Sequence, residues 1–286
     1  MKPASISSIT SAPQQLSQSD YEAVREFLER SCGIVLGDNK HYLVSSRLSR
    51  VVREAGLASL AELVARLRRG GDTSLQMRVI DAMTTNETSW FRDGHPYEIL
   101  RNAILPEWAD RRLRNARIWS AACSSGQEPY SISIVIEEFL RGRPGSLAGI
   151  QVTATDISPS VLEGARAAVF DDAALNRGIS PQLRQRYFEP HDGLWRLRKS
   201  VRERVIFKQL NLLQSFVSLG KFDCIFCRNV LIYFSSDVKQ DILARIARAL
   251  RPGGYLFLGG SESLGAQAGH FETVRFPRGH VYRLKA

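Results

Sequence analysis

The sequence predicts an α/β protein in two parts: a small N-terminal helical domain, then a Rossmann-like class I sheet with an inserted small β-subdomain and a C-terminal antiparallel hairpin. Three observations carry this. From Asp20 to Met83, apolar residues recur with helical spacing in four segments punctuated by glycine. After Ile118, apolar runs of strand length alternate with amphipathic helices, the rhythm of parallel β-α-β units. The chain closes on FETVRFPRGHVYRLK, two alternating runs about a turn at Pro277-Arg278-Gly279.

The helical domain spans residues 20–83. YEAVREFLERSCG is amphipathic and stops at Gly33, and HYLVSSRLSRVVREAG lines up Leu43, Val44, Leu48, Val51, Val52 and Ala55 before stopping at Gly56. SLAELVARLRRGG and SLQMRVIDAMTT follow as shorter helices. Residues 84–100 read as a linker and 101–286 as the α/β domain. ARIWSAAC reads as the first strand, GIQVTATDIS as the second, VIFKQLNLL as the third, KFDCIFCRNVLIYF as a long fourth and YLFLGGSES as a fifth. SDVKQDILARIARALRPGG reads as a helix closed by Pro-Gly-Gly. Residues 171–199 interrupt this rhythm, with a helical ISPQLRQRYF and an alternating DGLWRLRK, and predict an inserted subdomain.

The 286 residues suit one large domain plus a small one, at roughly 100–200 residues per domain. At 44% hydrophobic and 24% charged, the chain is neither collagen-like, coiled-coil nor wholly disordered. No apolar run approaches the roughly 18–20 residues of a membrane helix. The first twenty residues, rich in Ser, Gln and Pro, lack the apolar core of a secretion signal. These features predict a cytoplasmic protein without membrane insertion, opening on a disordered tail over residues 1–19.

The net charge of +10 is unevenly spread, since residues 151–286 hold 20 basic and 12 acidic side chains. Such a balance fits nucleic acid, an anionic surface or an acidic protein equally well. Cys224 and Cys227 form a C-x-x-C, but in a strand they point to opposite faces, and no second Cys or His pair completes a zinc site. Both are expected to be buried and structural, and no metal is expected.

Open α/β sheets bind ligands at the C-terminal ends of their strands, here Ala121–Gly126, Thr155–Ile157, Leu210–Leu212, Cys227–Phe234 and Gly259–Ser263. The first turn, AACSSGQEPYS, has one glycine, too few for a pyrophosphate-binding loop. S-adenosylmethionine (AdoMet), a nucleoside without phosphates, makes no such demand. Asp156 at the second strand end suits a ribose diol, or else caps the helix PSVLEGA, a task Ser158 can also perform.

TTNETSWFR (Thr84–Arg92), WSAACSSGQEPYSI (Trp119–Ile132), ATDIS (Ala154–Ser158) and FCRNVLIYF (Phe226–Phe234) resemble, in order and spacing, the chemotaxis receptor methyltransferases called CheR. The similarity extends from about Tyr21 to Leu284. It implies methyl transfer from AdoMet to glutamate side chains on the cytoplasmic helices of chemoreceptors, giving γ-glutamyl methyl esters. The resemblance further implies that Asn86, Thr88 and Arg92 contact the methionine end of AdoMet from the linker, with Glu128 on its amino-acid part. Asp156 then holds the ribose, Asn211 and Leu212 flank the adenine, and Arg228 and Asn229 line the methionine moiety. Arg92 and Tyr233 are the expected catalytic pair. From the residues alone, Asn86–Thr88 read equally as the cap of a helix starting near Ser89, and Tyr233 as a core aromatic.

Arg47, Arg50 and Arg53 recur every three residues opposite the apolar face of the second helix. By the same resemblance they bind the acidic receptor helices. Some relatives grip a receptor pentapeptide through a Gly-rich loop in the insert. RYFEPHDGLWRL is shorter and holds only Gly193, which predicts an enzyme that works without this tether. The enzyme is expected to be a monomer recruited to membrane-associated receptor arrays. A nucleic-acid methyltransferase is the main rival, but an N/D-P-P-Y/F motif for a flipped base is missing where this chain has RNVLIY. Another acidic protein substrate is the other alternative.

Overall fold

A computed structural model describes residues 16–286. The tail expected over residues 1–19 falls mostly outside that range, and Gln18 and Ser19 already belong to the first helix. The chain forms two compact units that divide between Thr84 and Thr85.

The first unit contains α1 (Gln18–Cys32), α2 (His41–Glu54), α3 (Leu60–Arg69) and α4 (Thr73–Met83). Their starts follow from side-chain caps: Ser17 accepts from Asp20 N–H, Ser59 from Glu62 N–H and Asp72 from Leu75 N–H. Gly33, at φ 76°, supplies the left-handed residue that ends α1. On α2, Val44, Leu48 and Val51 are buried, while Leu43, Val52 and Ala55 form a half-buried fringe. Val24, Leu28, Leu63 and Val79 complete this small core.

The second unit opens with α5 (His95–Ile99), a π-turn over Leu100–Ile104 and α6 (Leu105–Asp110). There follow β1 (Arg117–Ala121), α7 (Gln127–Gly142), β2 (Gln151–Asp156), α8 (Pro159–Ala167), β3 (Val169–Phe170), α9 (Asp172–Asn176), α10 (Pro181–Tyr187), β4 (Phe188–His191), β5 (Leu194–Leu197) and α11 (Lys199–Arg202). The remainder is β6 (Val205–Gln209), β7 (Phe222–Cys227), α12 (Ser236–Ala249), β8 (Leu250–Leu258), β9 (Phe271–Phe276) and β10 (Gly279–Leu284). The large sheet runs β6-β2-β1-β7-β8-β10-β9. Its first five strands are parallel, and β10 and β9 join antiparallel as the expected hairpin. One layer packs α7 through Ile132 and Ile136 against Ile118 and Cys224. The opposite layer packs α12 through Ile242 and Ile246 against Ile225 and Cys227. Cys224 and Cys227 are thus buried on opposite faces, as the two-residue period of a strand requires.

Three sequence expectations are corrected. The fourth strand ends at Cys227, because the backbone turns at Asn229 (φ 59°) into a 3-10 turn over Leu231–Tyr233. The Pro252-Gly253-Gly254 run does not close α12 but lies inside β8, where the pairing with β7 shifts register between Phe222 and Cys224. A bulge of this kind is where a strand tolerates proline and a left-handed glycine. The inserted sheet, ordered β3-β5-β4, starts at Val169, slightly before the expected boundary.

Candidate active site

The C-terminal ends of β1 and β2 are tied together by one carboxylate. Asp156, 6% exposed, accepts from Ser124 N–H through Oδ2 at 2.8 Å and from Ser158 N–H through Oδ1 at 3.0 Å. Ser158 itself caps α8, so Asp156 links two loops and is not the cap. The loop it holds alternates left-handed residues: Ala122 (φ 56°), Ser124 (φ 50°) and Gly126 (φ 94°). For a residue with a Cβ such a conformation costs about 1–3 kcal/mol and persists only where the surroundings enforce it. Here Cys123 N–H bonds the Thr155 carbonyl at 2.9 Å, and Ser124 Oγ donates to the Asn86 carbonyl at 2.9 Å. At Gly126 a Cβ would lie 3.1 Å from that of Ala165 and 3.2 Å from the Tyr130 ring. A single glycine therefore suffices for this loop.

Glu128 sits in the first turn of α7, with its side chain 12% exposed. Its Oε1 accepts from Ser120 Oγ at 2.8 Å and its Oε2 from Arg228 Nη1 at 3.0 Å. Arg228, 1% exposed, also donates through Nη2 to the Arg92 carbonyl at 3.1 Å and to Asp93 Oδ2 at 2.5 Å. Burial pushes the Glu128 carboxyl above the ordinary carboxylate value, and Arg228 beside it opposes the rise. Burial works against the Arg228 charge too, but Glu128, Tyr97 and Asp93 more than offset it. Among the described residues, Arg228 Nε is buried with no partner.

The expected linker is part of this cluster. Trp90, 2% exposed, packs edge-on against Phe170 and Phe188, and its N–H bonds the Arg177 carbonyl. Phe91 N–H donates to Ser131 Oγ at 3.0 Å. Between these anchors and α5, Phe91 (φ 48°), Asp93 (φ 67°) and Gly94 (φ 64°) are all left-handed, so Arg92 is presented on a strained loop. Asn86 and Thr88 are half-buried in irregular backbone. They cap no helix, since the next one starts at His95.

Asn211 and Leu212 follow β6, where Leu210 N–H bonds the Asp156 carbonyl and Leu212 is 6% exposed. Tyr233 is half-buried at the end of the 3-10 turn. The structure thus joins Asn86 to Asp156 through Ser124, and Arg92 to Glu128 through Arg228. Sequence reasoning gave no role to Glu262, which bonds the backbone beside Asn229. The only signal was its place at the fifth strand end.

The three arginines of α2 lie in the other unit and differ among themselves. Arg47 donates to the carbonyls of Met83 and Thr84, at 2.8 and 3.1 Å, and so fastens α2 to the end of α4. Arg50 pairs with Glu54 at 2.6 Å while 78% exposed, and Arg53 is exposed. The basic stretch from Arg184 to Lys208 is also partly neutralised: Arg184 meets Asp172, Arg186 meets Glu138, Lys199 meets Glu203 and Arg204 meets Glu137.

Residues 86–280 match the family described as CheR methyltransferase, SAM binding domain, and residues 19–84 match CheR methyltransferase, all-alpha domain. The chain belongs to the CheR family. It is 54% identical over 271 residues to chemotaxis protein methyltransferase 1 of Pseudomonas aeruginosa, covering 93% of this chain and 98% of that one. Chemotaxis protein methyltransferase Cher2 of Pseudomonas putida is 51% identical over 269 residues, at the same coverage. The Escherichia coli chemotaxis protein methyltransferase is 38% identical over 275 residues, covering 94% of this chain and 92% of that one. As a CheR protein the chain is an AdoMet-dependent methyltransferase. The donor set fits that cofactor: buried carboxylates of opposite tasks at two strand ends, and a buried guanidinium with one nitrogen still unpartnered. Among the described residues, no helix is long and apolar enough to cross a membrane.

Proposed function

We propose that this CheR protein methylates glutamate side chains on the cytoplasmic helices of chemoreceptors, giving glutamyl methyl esters and S-adenosylhomocysteine. The observation that carries this reading is the commitment of the acids at the strand ends. Glu128, Asp156 and Glu262 all accept hydrogen bonds from the chain itself, so each is built to hold something in place. An acceptor glutamate, with a reference pKa of about 4.3, arrives ionised and requires no general base.

When bound, AdoMet supplies an electrophilic methyl group on a cationic sulfonium. Glu128 faces its ammonium, Asp156 its ribose diol, and Asn211 with Leu212 its adenine. Asn86, Thr88, Arg228 and Asn229 line its methionine end. Arg92 holds the incoming carboxylate by charge-assisted hydrogen bonds, and the Tyr233 hydroxyl orients it. In-line positioning of the two reactants is worth up to about 7–11 kcal/mol when the geometry is good. Arg92→Ala should therefore lower kcat by about 10²-fold, with AdoMet affinity retained. Near-parental turnover would remove Arg92 from catalysis.

The helical unit recognises substrate through the exposed arginines of α2, Arg50 and Arg53, while Arg47 supports the helix that bears them. In the insert, β4 and β5 are joined by Asp192 (φ 47°) and Gly193 (φ 76°) alone, with His191 paired to Leu194. This is the two-residue Asp-Gly hairpin turn, with no room for a longer peptide-gripping loop. It supports an enzyme that acts as a monomer in the cytoplasm and reaches membrane-associated receptor arrays without a pentapeptide tether. Calorimetry with a receptor tail peptide tests this, and tight binding would contradict it.

A further inference from the structure

We infer that Glu262 is a positioning residue for methyl transfer, holding the Arg228–Tyr233 loop in its reactive shape through backbone hydrogen bonds alone. Its Oε2 accepts from Asn229 N–H at 2.8 Å and from Gly259 N–H at 2.7 Å. Its Oε1 accepts from Val230 N–H at 2.9 Å and Leu231 N–H at 2.7 Å. One carboxylate therefore closes the ends of β7 and β8 onto each other.

Two features show that the site is built around this carboxylate. The N–H groups of Asn229, Val230 and Leu231 converge because Asn229 is left-handed, at φ 59°. Successive N–H groups arranged around such a residue form an anion-binding concavity. Here the chain fills that concavity with its own side chain. Gly259 is the second feature. A Cβ there would stand 2.7 Å from Glu262 Oε2 and 2.9 Å from both Asn229 N and Asn229 Nδ2, so only glycine admits the closure.

The consequence reaches both ends of the reaction centre. Asn229 belongs to the loop directly, and the 3-10 turn that follows fixes where Tyr233 stands. Arg228, by contrast, is held separately by Glu128 and Asp93. Glu262 is therefore expected to govern the placement of reacting groups more than cofactor affinity. Glutamine in its place offers one acceptor oxygen and turns an NH₂ group toward two backbone donors.

The inference rests on the receptor-glutamate reading for its assay, so the parent enzyme and Glu262→Gln are compared on receptor-containing membranes, with AdoMet Kd measured separately by calorimetry. Glu262→Gln should lower kcat by about 10²-fold, the cost of displacing reacting groups by about 1 Å. AdoMet Kd should rise by less than about tenfold, a change of under about 1.4 kcal/mol. Gly259→Ala, which presses on the carboxylate from the other side, should give the same split and serves if Glu262→Gln fails to fold. A kcat within about twofold of parental in either folded variant, or an AdoMet Kd that rises as far as kcat falls, would overturn the inference. A parent enzyme inactive on receptor would instead overturn the substrate reading and leave the AdoMet comparison as the arbiter.

Discussion

Arg228 and Arg50 each pair with a glutamate, at 3.0 and 2.6 Å, but the first is 1% exposed and the second 78%. The same residue type thus serves two ends in the two units. At the strand ends, Arg228 is enclosed and gathers Glu128, Asp93 and the Arg92 carbonyl into one arrangement. On α2, Arg50 is an exposed cation whose pairing with Glu54 contributes little, since solvent screens it and the side chains must be ordered to form it. The difference teaches that the basic character of this enzyme is not one property. Buried charge builds the cofactor site, and exposed charge is left for a partner.

The largest effect is expected where the enclosed arrangement is broken. Arg228→Ala strands Glu128 as a buried carboxylate without its cation, a loss of about 3–5 kcal/mol for pairs of this kind. Thermal unfolding should fall sharply and AdoMet binding should vanish in calorimetry. Arg228→Lys should not restore binding, because one ammonium cannot reproduce the fork that meets three acceptors.

Glu128 sharpens the same side of the comparison through pH. Its folded-state pKa lies above the ordinary value because of burial, so on acidification it takes up a proton earlier than an exposed glutamate does. Ionised Glu128 is the form that faces the AdoMet ammonium. Affinity should therefore fall as the pH drops through a window above the ordinary carboxylate range, and recover as it rises. Glu128→Gln should bind weakly and lack that dependence. In the cofactor-free protein the sign reverses: ionising Glu128 in its buried site costs stability as pH rises through the raised pKa.

Arg47 tests the boundary between the two uses of arginine. Its bonds to the Met83 and Thr84 carbonyls are part-buried, and deleting such charged donors costs about 1–3 kcal/mol. Arg47→Ala should lower the melting temperature and leave AdoMet Kd unchanged. The smallest expected effect is at Arg50. Arg50→Glu should raise the receptor KM by a few-fold and make the salt dependence shallower, with stability and AdoMet Kd unmoved. An unchanged receptor KM would break the assignment of exposed charge to the partner.

Much of this was legible in the sequence because it depends on periodicity and on turn chemistry. The four helices, the parallel rhythm, the hairpin at Pro277 and the opposed burial of Cys224 and Cys227 all follow from local pattern. The misreadings occur where backbone geometry overrides composition. Val230–Phe234 is apolar enough to extend a strand, but left-handed Asn229 turns it away. Pro252-Gly253-Gly254 looks like a helix stop and is a bulged strand instead. The arginine stripe was visible as a pattern, yet nothing in it separates Arg47, bonded to carbonyls, from Arg50, left outside. Glu262 was beyond reach for a further reason: its donors are main-chain N–H groups from two segments about thirty residues apart, and backbone donors leave no trace in residue identity.

The central claim is methyl transfer to receptor carboxylates, and it is tested most directly with tritiated AdoMet and receptor-containing membranes. The account predicts label on the receptor that mild base releases as volatile methanol, the behaviour of a glutamyl methyl ester. Label that withstands base, or that appears on nucleic acid and not on receptor, would contradict it.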